Sequence, residues 1–194
     1  MRLTEQAHSE LDKIVHAGDF VIDATLGNGY DTQFLAQKVG LDGGVYAFDI
    51  QKESIEQGTR LLEKQQLVSR VVFTQSCHSK MLEHVPVAML GKIKAVIFNL
   101  GYLPGGDKKI ITKPDSTLSA LRQAQLCLSD DGIISLIAYR GHDGGQREYA
   151  EIEKLTKQEN WSVQKKPSNQ APDSPVLFLI GKAYNGADGS TSNS

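Results

Sequence analysis

The sequence predicts a doubly wound α/β fold, a mostly parallel sheet covered by helices on both faces. Three observations carry this reading: five short, near-continuous apolar runs, segments of helical period between them, and glycine clusters just past the ends of several runs. Parallel neighbours need a crossover between them, and a strand buried on both faces needs no polar alternation.

Leu3, Ala7, Leu11, Ile14 and Val15 recur at helical spacing, Ala17-Gly18-Asp19 stops that helix, and residues 20–24 read as the first buried strand. Phe34, Leu35 and Val39 mark a helix, residues 45–48 a strand, Ile55, Leu61 and Leu62 a helix, and residues 71–73 a strand. Residues 95–98 form the fourth strand, followed by a Gly/Pro/Lys loop, a helix over Leu118, Leu121 and Leu128, and a fifth strand at 133–139. A helix carrying Tyr149, Ile152 and Leu155 leads to two closing strands at 161–164 and 176–180. Residues 1–184 read as one domain without internal repeats, and residues 185–194, rich in Gly, Ser and Asn, as a mobile tail.

With 194 residues, 40% hydrophobic and 23% charged, the chain has enough apolar material for a sizeable core, which excludes disordered, collagen-like and disulfide-scaffold classes. Its longest apolar runs fall well short of the roughly 18 residues of a membrane helix. Glu5, Glu10 and Asp12 interrupt the N-terminal segment, unlike a secretory signal, and only Cys77 and Cys127 are present, so a reduced, cytoplasmic protein is expected. The net charge of −2 means that any polyanion site must be a local patch. No membrane partner and no metal site are expected.

In open α/β sheets a ligand sits beyond the carboxyl ends of the strands, where strand order reverses. After strand one comes Asp23-Ala24-Thr25-Leu26-Gly27-Asn28-Gly29-Tyr30-Asp31-Thr32. Gly27 and Gly29 allow a sharp turn and close approach to a ligand, with the free N–H groups of a helix start behind them. The third glycine of the dinucleotide fingerprint would fall at Thr32 and is absent. Asp49 lies 20 residues past Gly29, the spacing at which an acid meets ribose hydroxyls; the alternative is a carboxylate capping the helix that starts near Lys52. A nicotinamide dehydrogenase would need the third glycine, and no Tyr-x-x-x-Lys pair occurs, so a cofactor with adenosine and no pyrophosphate fits better.

Past strand three, Ser76-Cys77-His78 lie where an adenine would rest. Cys77 also reads as a small buried filler, and His78 equally as a helix-end residue or a ligand contact. Past strand four, Asn99-Leu100-Gly101-Tyr102 brings an amide and an aromatic out together, where a cofactor's reactive end would point. The alternative there is a strand-ending turn of no chemical meaning.

Together these residues resemble a class I S-adenosylmethionine methyltransferase, and more narrowly the small bacterial rRNA-methylase family, now associated with the MnmM-type enzymes acting on the wobble 5-aminomethyl-(2-thio)uridine of tRNA. The matching motifs are Asp23 to Thr32, Phe48-Asp49-Ile50-Gln51, Phe98-Asn99-Leu100-Gly101-Tyr102-Leu103-Pro104-Gly105-Gly106-Asp107 and Tyr139-Arg140-Gly141-His142-Asp143-Gly144-Gly145. The resemblance implies the Rossmann-like methyltransferase sheet of seven strands with the last antiparallel, S-adenosylmethionine as cofactor, and a homodimer. It also implies that Asn28, Gly29, Asp31, Asp49, Gln51, Ser76 and His78 surround the cofactor; Asp23, Gly27, Thr32, Ile50, Cys77 and Asn99 complete the candidate set. Ser76 stands where the family often has Asp, and Arg140 where it often has another residue.

Methyl transfer from a sulfonium requires an oriented, uncharged nucleophile. Asn99-Leu100-Gly101-Tyr102 is similar to the amine-orienting Asn/Asp-Pro-Pro-Tyr motif of amino-group methyltransferases, without its prolines. Asn99 and Tyr102 are therefore expected to position an amine, with His142 as a base, a substrate contact or a loop-ordering residue. Gly101, Tyr102, Lys108, Lys109, Lys113, Tyr139, Arg140, His142 and Arg147 form the candidate substrate set, with the lysines and arginines as phosphate contacts or simply solvated charges. Lys165 and Lys166 fit the solvated reading. The expected function is N-methylation of the wobble aminomethyl group in a tRNA anticodon stem-loop; the alternatives are an rRNA methyltransferase, a small-molecule amine methyltransferase, or an RNA-binding module without turnover.

Overall fold

The computed structural model describes residues 2–101, 114–141, 144–171 and 173–183. Seven strands form one sheet: β1 (Phe20–Asp23), β2 (Gly44–Asp49), β3 (Val71–Gln75), β4 (Ile93–Asn99), β5 (Leu128–Ala138), β6 (Trp161–Pro167) and β7 (Val176–Ala183). Their order is β3-β2-β1-β4-β5-β7-β6, parallel throughout except that β7 runs antiparallel to both β5 and β6. The chain winds outward from β1 in one direction and from β4 in the other, so a crevice opens between the ends of these two strands.

The helices are α1 (Leu3–Asp12), α2 (Tyr30–Val39), α3 (Lys52–Lys64), α4 (Met81–His84), α5 (Pro114–Cys127) and α6 (Gly145–Gln158). Strand alternation splits the core by face. Ile22, Val96, Phe98, Ile134 and Leu136 join α5 and α6 residues such as Leu121 and Ile152 on one side. Val21, Ala95 and Ile97 meet Leu35, Val39 and Leu62 of α2 and α3 on the other. Leu3 and Ala7 of α1 cover Ile137, Leu177 and Leu179, so the N-terminal helix lies across β5 and β7 beside α2. Among the described residues no helix is long and apolar enough to cross a membrane.

Two details differ from the sequence reading. Leu128 opens β5, opposite Ile93, instead of closing the preceding helix: it is fully buried between sheet neighbours, and that tertiary packing overrides its good helical propensity. Between β3 and β4 the chain makes a turn of 3₁₀ helix at His78–Lys80 and then α4, both too short to leave a readable period.

The β4 strand at the switch point should dominate stability. Phe98 is fully buried, so Phe98→Ala is expected to cost about 3–5 kcal/mol, read as a lower urea midpoint with unchanged slope. Val87→Ala, at an 80% exposed position, should shift the same curve by no more than about 0.5 kcal/mol.

Candidate active site

The turn after β1 is built on a buried carboxylate. Asp23 is fully buried; its Oδ1 accepts the Thr25 N–H at 3.0 Å, and its Oδ2 accepts the Thr32 hydroxyl at 2.6 Å. Thr32 is itself fully buried, so both side chains lie beneath the loop and tie the strand end to the first turn of α2. Burial, followed by the charge of Asp31, pushes the Asp23 carboxyl up to about 7, against the lowering effect of the Thr32 and Thr25 bonds.

Gly27 and Gly29 both hold positive φ, +51° and +84°, which glycine adopts without strain. Gly29 also caps α2, and a Cβ there would sit 3.0 Å from Gly58 Cα. The close approach that this glycine permits is thus to α3, where the sequence reading placed a ligand. Asn28 lies half-buried between the two glycines.

Asp49 ends β2, and both of its oxygens accept backbone N–H groups. Its Oδ1 accepts the Gln51 N–H at 2.9 Å just before α3, and its Oδ2 accepts the Gly27 N–H at 2.9 Å. Each carboxylate oxygen retains a second lone pair for another donor. Ile50 beside it is 51% exposed, an apolar surface at the rim.

Past β3, Ser76 and Cys77 are half-buried, and the Ser79 hydroxyl donates to Cys77 Sγ at 3.1 Å. His78 is buried. Its Nδ1 lies 3.1 Å from the Ala24 carbonyl, which can only accept, so Nδ1 carries the proton. Burial holds its pKa below the usual value and keeps the ring neutral, which leaves Nε2 a buried acceptor without a partner.

Past β4, the Asn99 N–H donates to the Thr25 hydroxyl at 2.8 Å, joining the two strand ends that border the crevice. The Asn99 amide donates to Asp31 Oδ2 at 3.4 Å, and Asp31 Oδ1 lies 2.6 Å from His8 Nε2 on α1. Gly101 follows with φ +130°, beside the Tyr139 ring. Burial and then the Asp31 charge raise the Tyr139 phenol above its ordinary range. Asp23, Asp31, Asp49, His78, Asn99 and Tyr139 therefore converge on the crevice.

Arg140 is bound to the protein itself through two of its nitrogens. Its Nε donates to the Ser174 carbonyl at 2.6 Å, Nη2 to the Ser174 hydroxyl at 3.1 Å and the Ala171 carbonyl at 3.4 Å, and the guanidinium lies 4.9 Å above the Tyr149 ring. These bonds pin the segment between β6 and β7. Arg147 is exposed in the first turn of α6. Lys165 and Lys166 pair with Glu153 and Glu10, as solvated charges do. Tyr102, Lys108, Lys109, Lys113 and His142 lie outside the described residues.

Sequence reasoning missed His8 and Thr25 as site-forming side chains. Thr25 lies within the quoted loop motif but bonds 74 residues away, and His8 sits on a helix read only for its apolar face. Neither bond has a local spacing by which it could be found.

Residues 45–181 match the model of the family described as "Putative rRNA methylase". The chain belongs to this rRNA-methylase family. An Arabidopsis thaliana protein named tRNA (mnm(5)s(2)U34)-methyltransferase, chloroplastic, is 42% identical over 95% of this chain and 70% of its own length. A solved rRNA-methylase family protein from Clostridium thermocellum superposes with a TM-score of 0.87 at 39% identity, covering 94% of this chain and 98% of its own. A Streptococcus mutans protein solved in complex with SAH gives 0.80 at 31% identity, with the same coverages. The chain is thus an S-adenosylmethionine-dependent methyltransferase.

The Asp23 carboxyl should imprint a pH dependence on stability. Its folded pKa of about 7 lies above the ordinary 3.8, so the native chain holds a proton that the unfolded chain has released between those values. Stability should therefore fall as pH rises from about 4 to 7, by at most ~1.4 kcal/mol per pH unit from this group, and level off above. Asp23→Asn, which can keep both bonds by accepting from Thr25 N–H and donating to Thr32, should flatten that slope in urea titrations at pH 5 and 7.

Proposed function

We propose that this chain N-methylates the aminomethyl group of the wobble 5-aminomethyl-(2-thio)uridine in a tRNA anticodon stem-loop, using S-adenosylmethionine. The observation that carries this reading is the identity, along nearly the whole chain, to a plant protein named for a wobble-uridine methyltransferase. An rRNA base or a small-molecule amine remains the alternative outcome of the test below. A cytoplasmic location and a homodimer accompany the reading, the latter checked by the protein's mass in solution.

The residues fit the cofactor. Asp49 offers two acceptor oxygens at the end of β2, suited to the paired hydroxyls of a ribose; half-exposed Ile50 and the unpartnered Nε2 of His78 suit a flat heterocycle bearing an amine. When bound, S-adenosylmethionine supplies a methyl group on a sulfonium. Gly27, Asn28, Gly29 and Gln51 would shape the cradle, with Ser76 and Cys77 at its far wall. Asp23 and Thr32 would hold the cradle from below.

Asn99 would accept from the substrate nitrogen and aim its lone pair; Tyr102 would share in positioning the amine, with His142 as a base or substrate contact. Gly101 and Tyr139 would line the approach. An anticodon-loop base is unpaired and can be splayed out into such a crevice, whereas a duplex base must first be extruded. Exposed Arg147 would contact phosphate, joined by Lys108, Lys109 and Lys113, while Arg140 would add its charge without direct contact.

Asp49→Ala should weaken S-adenosylmethionine binding about 10- to 150-fold in calorimetry, the loss of charge-assisted bonds worth roughly 1.5–3 kcal/mol, with Asp49→Asn intermediate. Incubation with labelled cofactor and tRNA lacking only the terminal methyl should place label on the wobble nucleoside. Label in rRNA or on a free amine instead would overturn the substrate assignment.

A further inference from the structure

At physiological pH an alkyl amine is an ammonium ion, and it has no lone pair to donate until it loses a proton. The proposed function therefore requires a proton acceptor near Asn99, and the described part of the crevice contains one carboxylate bonded to that residue. Asp31 Oδ2 faces the Asn99 amide at 3.4 Å, a long contact that a better donor placed between them would shorten. Its other oxygen, Oδ1, is held at 2.6 Å by His8 Nε2.

The His8 ring is fixed twice, by that bond and by a parallel stack on Phe34 with centroids 4.1 Å apart and planes 5° apart. It projects from α1, whereas Asp31 and Phe34 belong to α2. A helix staple would need only the stack; the additional short bond fixes which carboxylate oxygen turns toward Asn99. The side chains are 28% and 14% exposed, enough for exchange with water at the rim.

We propose that Asp31 is the catalytic acceptor of the proton released by the substrate amine, and that His8 is the positioning residue that keeps Asp31 Oδ2 directed at that amine. This inference rests on the amine-methylation reading. The ammonium N–H donates to Asp31 Oδ2 and the proton moves to that oxygen. The freed nitrogen lone pair forms the N–C bond to the methyl while the C–S bond breaks with its pair left on sulfur. The carboxylic acid then returns its proton to water, so one proton is released per methyl transferred.

The groups surrounding the pair are Asp23 on β1, Tyr139 past β5 and Asn99 on β4, with Asp49 on β2 one step further behind Asp23. On the helices themselves, Lys38 of α2 is engaged by Asp12 of α1 at 2.6 Å. Lys166 of β6 is engaged by Glu10 of α1 at 2.7 Å. Among the described residues the charged groups facing the pair are thus carboxylates, Asp49 and, above its raised pKa of about 7, Asp23, which favours drawing an ammonium in.

The test uses the full-length chain with an anticodon stem-loop carrying the aminomethyl group, in single turnover at saturating cofactor. Wild-type transfer to this stem-loop is the prior check: its absence refutes the methylation reading itself. Given transfer, Asp31→Asn should slow the rate about 30-fold at pH 7 and only about threefold at pH 9.5, because an amine of pKa about 10.4 reaches roughly 10% neutral there without help. His8→Ala should show a smaller deficit with the same narrowing, and His8→Gln, which can still donate to Asp31, should recover part of it. Independently of turnover, fluorescence anisotropy should show Asp31→Asn losing about tenfold of the preference for the aminomethyl stem-loop over one with plain uridine. Calorimetry on every variant separates this role from a cofactor contact: the loss of transfer at pH 7 should exceed any loss of cofactor affinity. A deficit constant from pH 7 to 9.5, or one matched by an equal loss of cofactor affinity, would overturn the proposal and leave the pair a helix staple or a cofactor contact.

Discussion

The crevice depends on one buried carboxylate. Asp23 has no water to solvate it, and its two oxygens take their hydrogen bonds from Thr25 and Thr32 within the same turn. Those bonds bend the chain out of β1 and into α2, set the Thr25 hydroxyl toward the backbone of Asn99, and aim Gly27 at Asp49. Remove the carboxylate and the ends of β1, β2 and β4 lose their common anchor. A charged group in so dry a place is costly, which is why its proton affinity is raised while the geometry persists.

The sheet was legible because its physics is local. A parallel strand covered on both faces announces itself by continuous apolar residues, and the order reversal between β1 and β4 follows from where the crossovers must fit. Asp49 was legible for the same reason: its distance from the glycine turn is one βα unit. Leu128 was misplaced because its helical propensity and its burial in β5 favour different elements, and burial is the stronger term.

The side-chain partnerships were not legible. Arg140 read as a phosphate contact or a solvated charge; the carbonyls of Ala171 and Ser174 that bond it come from a distant loop whose course the sequence does not encode by pattern. His8 drew no reading on its helix, since only the docking of α1 against α2 brings it to Asp31. The glycine pair was correctly placed at the turn, yet at Gly29 the pressure for glycine comes from another helix as well as from the backbone angle.

That contact has a consequence for how the crevice meets its ligand. Gly29 and Gly58 nearly touch, and the Leu26 side chain packs against Gly58 as well, so the glycine turn and α3 form one interlocked body, with Asp49 and Gln51 at its edge. A cofactor entering such a body meets walls already at their final spacing, and the conformational freedom that a loose loop would surrender on binding has been surrendered at folding. Neither position has room to grow: a Cβ at 29 would press on the backbone of Gly58, and one at 58 on the side chain of Leu26, so either change pushes the helix and the turn apart.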